Sequence, residues 1–244
     1  MFMPHKKELA FFENGERYKG KGIEGYKESF KGAKKDQVVG ERTANYLWVS
    51  NNNLEWGNPG EFRVGIPRRV LGDLGKDIKL IAILRNPIDR ALSAFLHHKR
   101  RGRVGEGETI GKRWEKAGMV HIGFYLEHLR EWNKFFPKEC FYVTTYERLF
   151  SDSGCLLEIE NFLEISEVPA TKERNTVVHE GIGFYNEEGE AYDSENNLIA
   201  TKEEIENMRT IFQVCNKDLK KEWGVPVEYW RKDFNNSFCE FPVF

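Results

Sequence analysis

The apolar positions of the chain change their period abruptly about a third of the way along it. Lys79–Leu84, KLIAIL, is a continuous apolar run bounded by polar residues. That pattern predicts a strand buried on both faces, as in a parallel sheet. Directly after it, Ile88, Ala91, Leu92, Phe95 and Leu96 recur at helical spacing, which predicts a helix over Asn86–Arg101. Asn86 suits the N-cap, Pro87 the first helical position and Asp89 the positive end of the dipole. Lys99, Arg100 and Arg101 suit the negative end, and Gly102 suits the stop.

The same reading places further elements on either side. The short apolar run Val38-Val39 predicts a strand leading into GERTANYL. Tyr125, Leu129, Trp132 and Phe136 share one face of a helix over Phe124–Phe136, stopped by Pro137. Phe141–Tyr146 reads as a strand and Cys155–Leu163 as a short helix. The polar stretch NEEGEAYDSENN reads as a turn or exposed hairpin. Ile205, Met208, Phe212, Cys215 and Leu219 predict one long helix over Lys202–Trp223, ended by Gly224 and Pro226. Strands alternating with helices define an α/β class with a parallel sheet flanked by helices. Ligands of such sheets sit at the carboxyl ends of the strands, which puts Arg85 at the binding edge.

Composition narrows the picture. A chain of 244 residues fits a single domain over 1–244. With 14% aromatic residues spread along it, the chain is not of the disordered class. A net charge of −2 gives no case for a nucleic-acid partner. No apolar run approaches the roughly 20 residues of a membrane helix, so no membrane partner is expected. The opening MFMPHKKELAFF lacks the pattern of a secretory signal, and the expected location is cytoplasmic. Cys140, Cys155, Cys215 and Cys239 form no CxxC pair and no zinc-type spacing with His. Free thiols and no metal are the expectation.

Arg85 carries the candidate chemistry. A guanidinium at a strand end, a helix N-terminus with free N–H groups, and the Ser93 hydroxyl together suit a phosphate. Taken alone, these residues fit equally a surface arginine at a well-capped strand–helix junction. Glu8, in the run KKE, reads by itself as a solvated carboxylate. His97 and His98 read as packed or partly exposed, and Lys99–Arg103 as a solvated helix end.

RNPIDRALSAFLHH resembles the 3′-phosphate-binding segment of sulfotransferases that use the sulfuryl donor PAPS, especially the heparan sulfate and related carbohydrate branch. The resemblance implies that Arg85 and Ser93 hold the 3′-phosphate. PHKKELAFF resembles that family's "KKE-hydrophobic-His-Phe-Phe" segment, with Ala10 in place of the His; this implies that Glu8 is the catalytic base. GERTANYL resembles "GEKTPxYF", which implies that Arg42 takes the place of the family's Lys and stabilises the transferring group. HIGFYLEHLREWNKFFPKECFYVTTYERL and GIGFYN resemble later segments. The resemblance thus implies the P-loop-NTPase-like sulfotransferase fold and sulfuryl transfer from PAPS to a hydroxyl or amine of an acceptor such as a carbohydrate. It also implies a strand and Gly-rich loop upstream of KKELAFF that cradle the 5′-phosphosulfate. Only seven residues stand before Glu8, so the expectation is an N-terminally shortened domain. A non-catalytic, PAP-binding remnant of the fold is the alternative.

Overall fold

The computed structural model describes residues 1–49, 64–113, 118–165 and 183–230. In chain order the helices and strands are α1 (Gly15–Lys27), α2 (Ile66–Leu74), β1 (Leu80–Leu84), α3 (Pro87–Arg100), α4 (Tyr125–Asn133), β2 (Phe141–Thr145), α5 (Tyr146–Ser151) and α6 (Gly154–Phe162). Then follow β3 (Gly183–Tyr185), β4 (Ala191–Asp193), β5 (Leu198–Ala200), α7 (Lys202–Asn216) and α8 (Leu219–Trp223). β1 and β2 are neighbours in a two-stranded parallel sheet, and β3, β4 and β5 form an antiparallel sheet in that order. The architecture is the expected α/β class.

The chain forms two compact units. The first comprises Met1–Ile81, Glu127–Tyr142 and Ile159–Ser166. Its core gathers Leu9, Phe11, Phe12, Tyr26, Val49, Ile66, Val70, Trp132 and Phe136. Aromatic rings dominate it: Phe12 packs against Phe11, Tyr18, Tyr26 and Tyr46 with centroids 5.1–6.2 Å apart. Such tilted and edge-on pairs add to the stabilisation from burial. The second unit comprises Ala82–Leu126, Val143–Glu158 and Glu167–Phe244. α3 is its centre, with Ala91, Leu92 and Phe95 fully buried against Ile199 and Ala200 of β5 and Ile205, Met208 and Phe212 of α7. The Lys99 ammonium of α3 meets the Asp193 carboxylate of β4 at 2.6 Å.

Several expectations need correction. β1 is not buried on both faces: Ile81 and Ile83, which share a face by strand alternation, are 39% and 45% exposed. Val38 and Val39 make no strand. They are 38% and 49% exposed, and Val39 forms only an isolated parallel bridge with Phe2. Two residues without a buried face cannot nucleate a ladder. β2 stops at Thr145, whose side chain accepts the Arg148 N–H and caps α5, so Tyr146 is helical. The helix predicted over Phe124–Phe136 is Tyr125–Asn133, preceded by a 3₁₀ turn at His121–Gly123. The long C-terminal helix is two, broken at Asp218 (φ −98°, ψ 5°). The hairpin expected in the polar stretch is present, but it belongs to a three-stranded sheet that buries Ala191, Ile199 and Ala200.

Among the described residues, no helix is long and apolar enough to cross a membrane. Within the same set, no group of three or more His, Cys, Asp or Glu could hold a metal ion. Among the described residues, Cys140, Cys155 and Cys215 form no disulfide, and Cys239 lies outside the described residues.

Candidate active site

In the first unit, Glu8 stands exposed on an irregular segment whose backbone is held by side chains. Arg42 Nε donates to the Lys7 carbonyl at 3.2 Å, and Arg17 Nη1 to the Leu9 carbonyl at 2.8 Å. The Ala10 N–H donates to Thr43 Oγ1 at 3.1 Å. The N–H groups of Phe11 and Phe12 both donate to the Tyr46 hydroxyl. Arg69 closes the series with two bonds to the Phe12 carbonyl, at 3.1 and 2.7 Å. Ala10 itself sits at φ +52°, a conformation that L residues adopt at a cost. The GERTANYL segment thus grips the segment that carries Glu8. Arg42 is brought beside Glu8 through the neighbouring carbonyl. Glu41, which the sequence reading passed over, lies in the same grip. Burial pushes its carboxyl up, while the hydroxyls of Tyr46, Thr43 and Tyr26 and the Leu9 N–H favour its ionised form.

In the second unit, Arg85 follows β1 and Asn86 caps α3. Arg85 is half-buried, with its guanidinium carbon 5.8 Å from the centroid of the Tyr146 ring. Asn86, Asp89, Arg90 and Ser93 fall on one side of α3 at spacings of three and four. The opposite side packs Ile88, Ala91, Leu92 and Phe95 into the core. Nε and Nη2 of Arg90 are buried without a hydrogen-bond partner among the described residues. Burial lowers its pKa; Tyr125 counters that shift and the Arg85 charge adds to it.

The helix terminus differs from its expected form. The N–H groups of Ile88 and Asp89 both donate to Asn86 Oδ1, at 3.0 and 3.4 Å. Arg90 N–H bonds the Asn86 carbonyl, and Pro87 has no N–H. No first-turn amide is therefore free for a ligand. The cap that makes α3 legible in sequence also consumes the donors that were expected to bind phosphate. What remains is the Arg85 guanidinium, the Ser93 hydroxyl and the dipole of a helix of 14 residues.

Around this junction lie two residues the sequence reading missed. Tyr125 donates its hydroxyl proton to the Arg85 carbonyl at 2.8 Å. Glu147 Oε1 accepts the Asn86 N–H at 2.8 Å. Burial pushes the Glu147 carboxyl up to about 7; Asp89 adds to the rise, and the Asn86 N–H and the Arg85 charge oppose it. The signal was present: Glu147 follows the carboxyl end of β2 as Arg85 follows that of β1. Tyr185, in the GIGFYN segment, donates to Asp89 Oδ1 at 3.0 Å. Gly181 and Ile182 of that segment lie outside the described residues. The structure thus places Glu8 with Arg42 in one unit, and Arg85 with Ser93 in the other.

Sequence and structure comparisons agree on the class. The sulfotransferase domain family matches residues 72–223, well over half of the chain. The chain belongs to the sulfotransferase family. The match includes Arg85, Ser93 and Glu147, and begins after Glu8 and Arg42. Human heparan sulfate glucosamine 3-O-sulfotransferase 5 is 28% identical over 192 residues, covering 73% of this chain and 50% of the relative. Mouse heparan sulfate glucosamine 3-O-sulfotransferase 6 is 34% identical over 118 residues, covering 43% of this chain and 33% of the relative. The chain thus spans about half, or less, of the length of the curated relatives it matches. The crystal structure of a sulfotransferase from Alicyclobacillus acidocaldarius superposes with a TM-score of 0.63 at 20% identity, covering 95% of this chain and 88% of that one. At that identity the likeness shows the fold.

Proposed function

We propose that this protein transfers a sulfuryl group from PAPS to a hydroxyl or amine of a carbohydrate acceptor. The observation that carries the reading is the Arg85 junction. A family-matched segment sets a guanidinium at the carboxyl end of a parallel strand, just before a capped helix, and a serine on the polar side of that helix. Those residues fit a 3′-phosphate: a bidentate cation, a hydroxyl donor and a favourable dipole. The saturated first-turn amides assign the contact to side chains. The carbohydrate acceptor is supported by the names of the curated relatives, which act on heparan sulfate glucosamine.

In this reading the acceptor oxygen or nitrogen attacks the sulfur of PAPS. The new bond to sulfur forms as the sulfur–oxygen bond to the 5′-phosphate breaks, and PAP leaves. Glu8 takes the acceptor proton, and its exposed carboxylate on a fixed backbone suits that role. Arg42 supplies positive charge to the transferring group. As an arginine it keeps the charge of the family's lysine but presents a planar fork in place of a compact ammonium.

The test is transfer of labelled sulfate from PAPS to heparan sulfate oligosaccharides. Labelled acceptor with wild type, and a loss of at least a hundredfold with Glu8→Gln, is the expected result. PAP binding without transfer to any hydroxyl or amine acceptor favours the non-catalytic alternative.

A further inference from the structure

The carbonyl of Arg85 and the N–H of Asn86 belong to one peptide unit, lying between the last residue of β1 and the first of α3. Both residues lie outside the helix and the strand themselves. Both polar groups are bonded by buried side chains: Tyr125 donates to the carbonyl at 2.8 Å, and Glu147 accepts the N–H at 2.8 Å. Tyr125 is 3% exposed and Glu147 6%. A peptide plane gripped on both polar groups cannot turn without breaking both bonds. Its orientation fixes the direction in which the Arg85 side chain leaves the strand and the pose of the Asn86 cap.

We propose that Glu147 is a positioning residue of the 3′-phosphate site, acting on Arg85 through the Arg85–Asn86 peptide. This inference rests on the reading of Arg85 as the phosphate ligand. Glu147 is suited to it by its own fixation. It lies in the first turn of α5, whose N-terminus is capped by Thr145 Oγ1 accepting the Arg148 N–H at 3.2 Å. Two consecutive strand–helix junctions of the fold are thereby tied together, and the acid of one holds the backbone of the other.

The choice of an acid has a further consequence. Glu147 Oε2 is buried without a hydrogen-bond partner among the described residues. The charged or titratable groups that act on Glu147 are Arg85 at the end of β1, Asp89 on α3 and Tyr125 on α4. Burial and Asp89 favour the protonated form, and Arg85 favours the ionised one. A phosphate dianion at Arg85 offsets the charge that keeps Glu147 ionised. Ligand binding is therefore linked to proton uptake by Glu147.

The experiment is calorimetric titration of PAP into the wild-type chain, Glu147→Gln and Glu147→Ala, near pH 7 in buffers of differing ionisation enthalpy. Hydrogen exchange of the Asn86 amide is followed alongside. Gln keeps an oxygen that accepts the Asn86 N–H but has no proton to gain. Glu147→Gln is expected to bind PAP within about threefold of wild type, without the wild type's proton uptake. Glu147→Ala is expected to bind at least tenfold more weakly, with faster Asn86 exchange. Wild-type binding of PAP with unchanged affinity in a folded Glu147→Ala overturns the positioning role alone. Equal weakening in Gln and Ala overturns the backbone latch. Absence of PAP binding by wild type overturns the phosphate site, and the positioning role falls with it.

Discussion

The Tyr46 hydroxyl accepts the backbone N–H groups of both Phe11 and Phe12, at 2.8 and 3.3 Å. A single phenol oxygen thereby satisfies two consecutive amides of the segment that carries Glu8. Both phenylalanines are buried, so water is poorly placed to replace it. Tyr46→Phe is expected to cost about 1–3 kcal/mol of stability, the usual cost of leaving buried donors unmet. Chemical denaturation measures it. If Glu8 is the base, the same variant lowers sulfuryl transfer more than it weakens PAP binding.

Gly123, beside the first residue of α3, gives a second prediction. A Cβ at this position would stand 2.6 Å from the Phe212 ring and 3.1 Å from Cβ of Pro87, the first residue of α3. Phe212 is buried in the core, so the ring has little room to yield. Gly123→Ala is expected to destabilise by about 1–3 kcal/mol through overpacking. Because the strain falls on Pro87, PAP affinity should fall as well. Thermal melting and calorimetry read the two effects separately.

The Lys99–Asp193 pair links α3 to the antiparallel sheet. Asp193 also accepts from the Asn197 and Glu195 backbone and the Asn197 side chain. Burial alone would raise its pKa; Lys99 and Asn197 outweigh that and leave it lowered. The lowered value means that its contribution is present above the unfolded carboxylate pKa and is lost as pH falls through the folded one. Asp193→Ala is expected to cost about 2–4 kcal/mol, because it strands both an ammonium that is 28% exposed and the turn amides. Denaturant titration checks the cost, and the gap from wild type should shrink in acid.

Glu147 gives the opposite pH dependence. Its folded pKa, about 7, lies above the ordinary carboxylate value of 4.5. Between those values the folded state holds more protons than the unfolded one, so stability falls as pH rises through that window and levels off above it. The full effect is on the order of 3 kcal/mol. Glu147→Gln has no such ionisation. Its melting temperature relative to wild type should rise between pH 5 and pH 8, and a constant difference would contradict the assignment.

Much of this fold could be read from local chemistry, and the exceptions have physical reasons. α3 was legible because Asn86 and Pro87 are strong start signals and its apolar stripe is regular. α1 was not, because Gly20, Gly22 and Gly25 dilute its pattern and Gly22, at φ +57°, kinks it. The break at Asp218 was invisible because the apolar spacing from Phe212 through Leu219 continues in phase across it. β3, β4 and β5 have three residues each, too few to establish a period. Arg85 and Ser93 were read as candidate site residues from a strand end and a family-like segment. The saturation of the α3 amides was not, since an N-cap residue looks the same in sequence whether it serves its own helix or leaves donors for a ligand. Tyr125 and Glu147 act on the backbone from 40 and 61 residues away, a relationship that no local pattern carries.

The most direct test of the central claim is calorimetric titration of PAP into wild type and Arg85→Ala. The account predicts that wild type binds, and that Arg85→Ala binds about ten- to a hundredfold more weakly, the loss of a charge-assisted contact. Equal binding by both chains would contradict it.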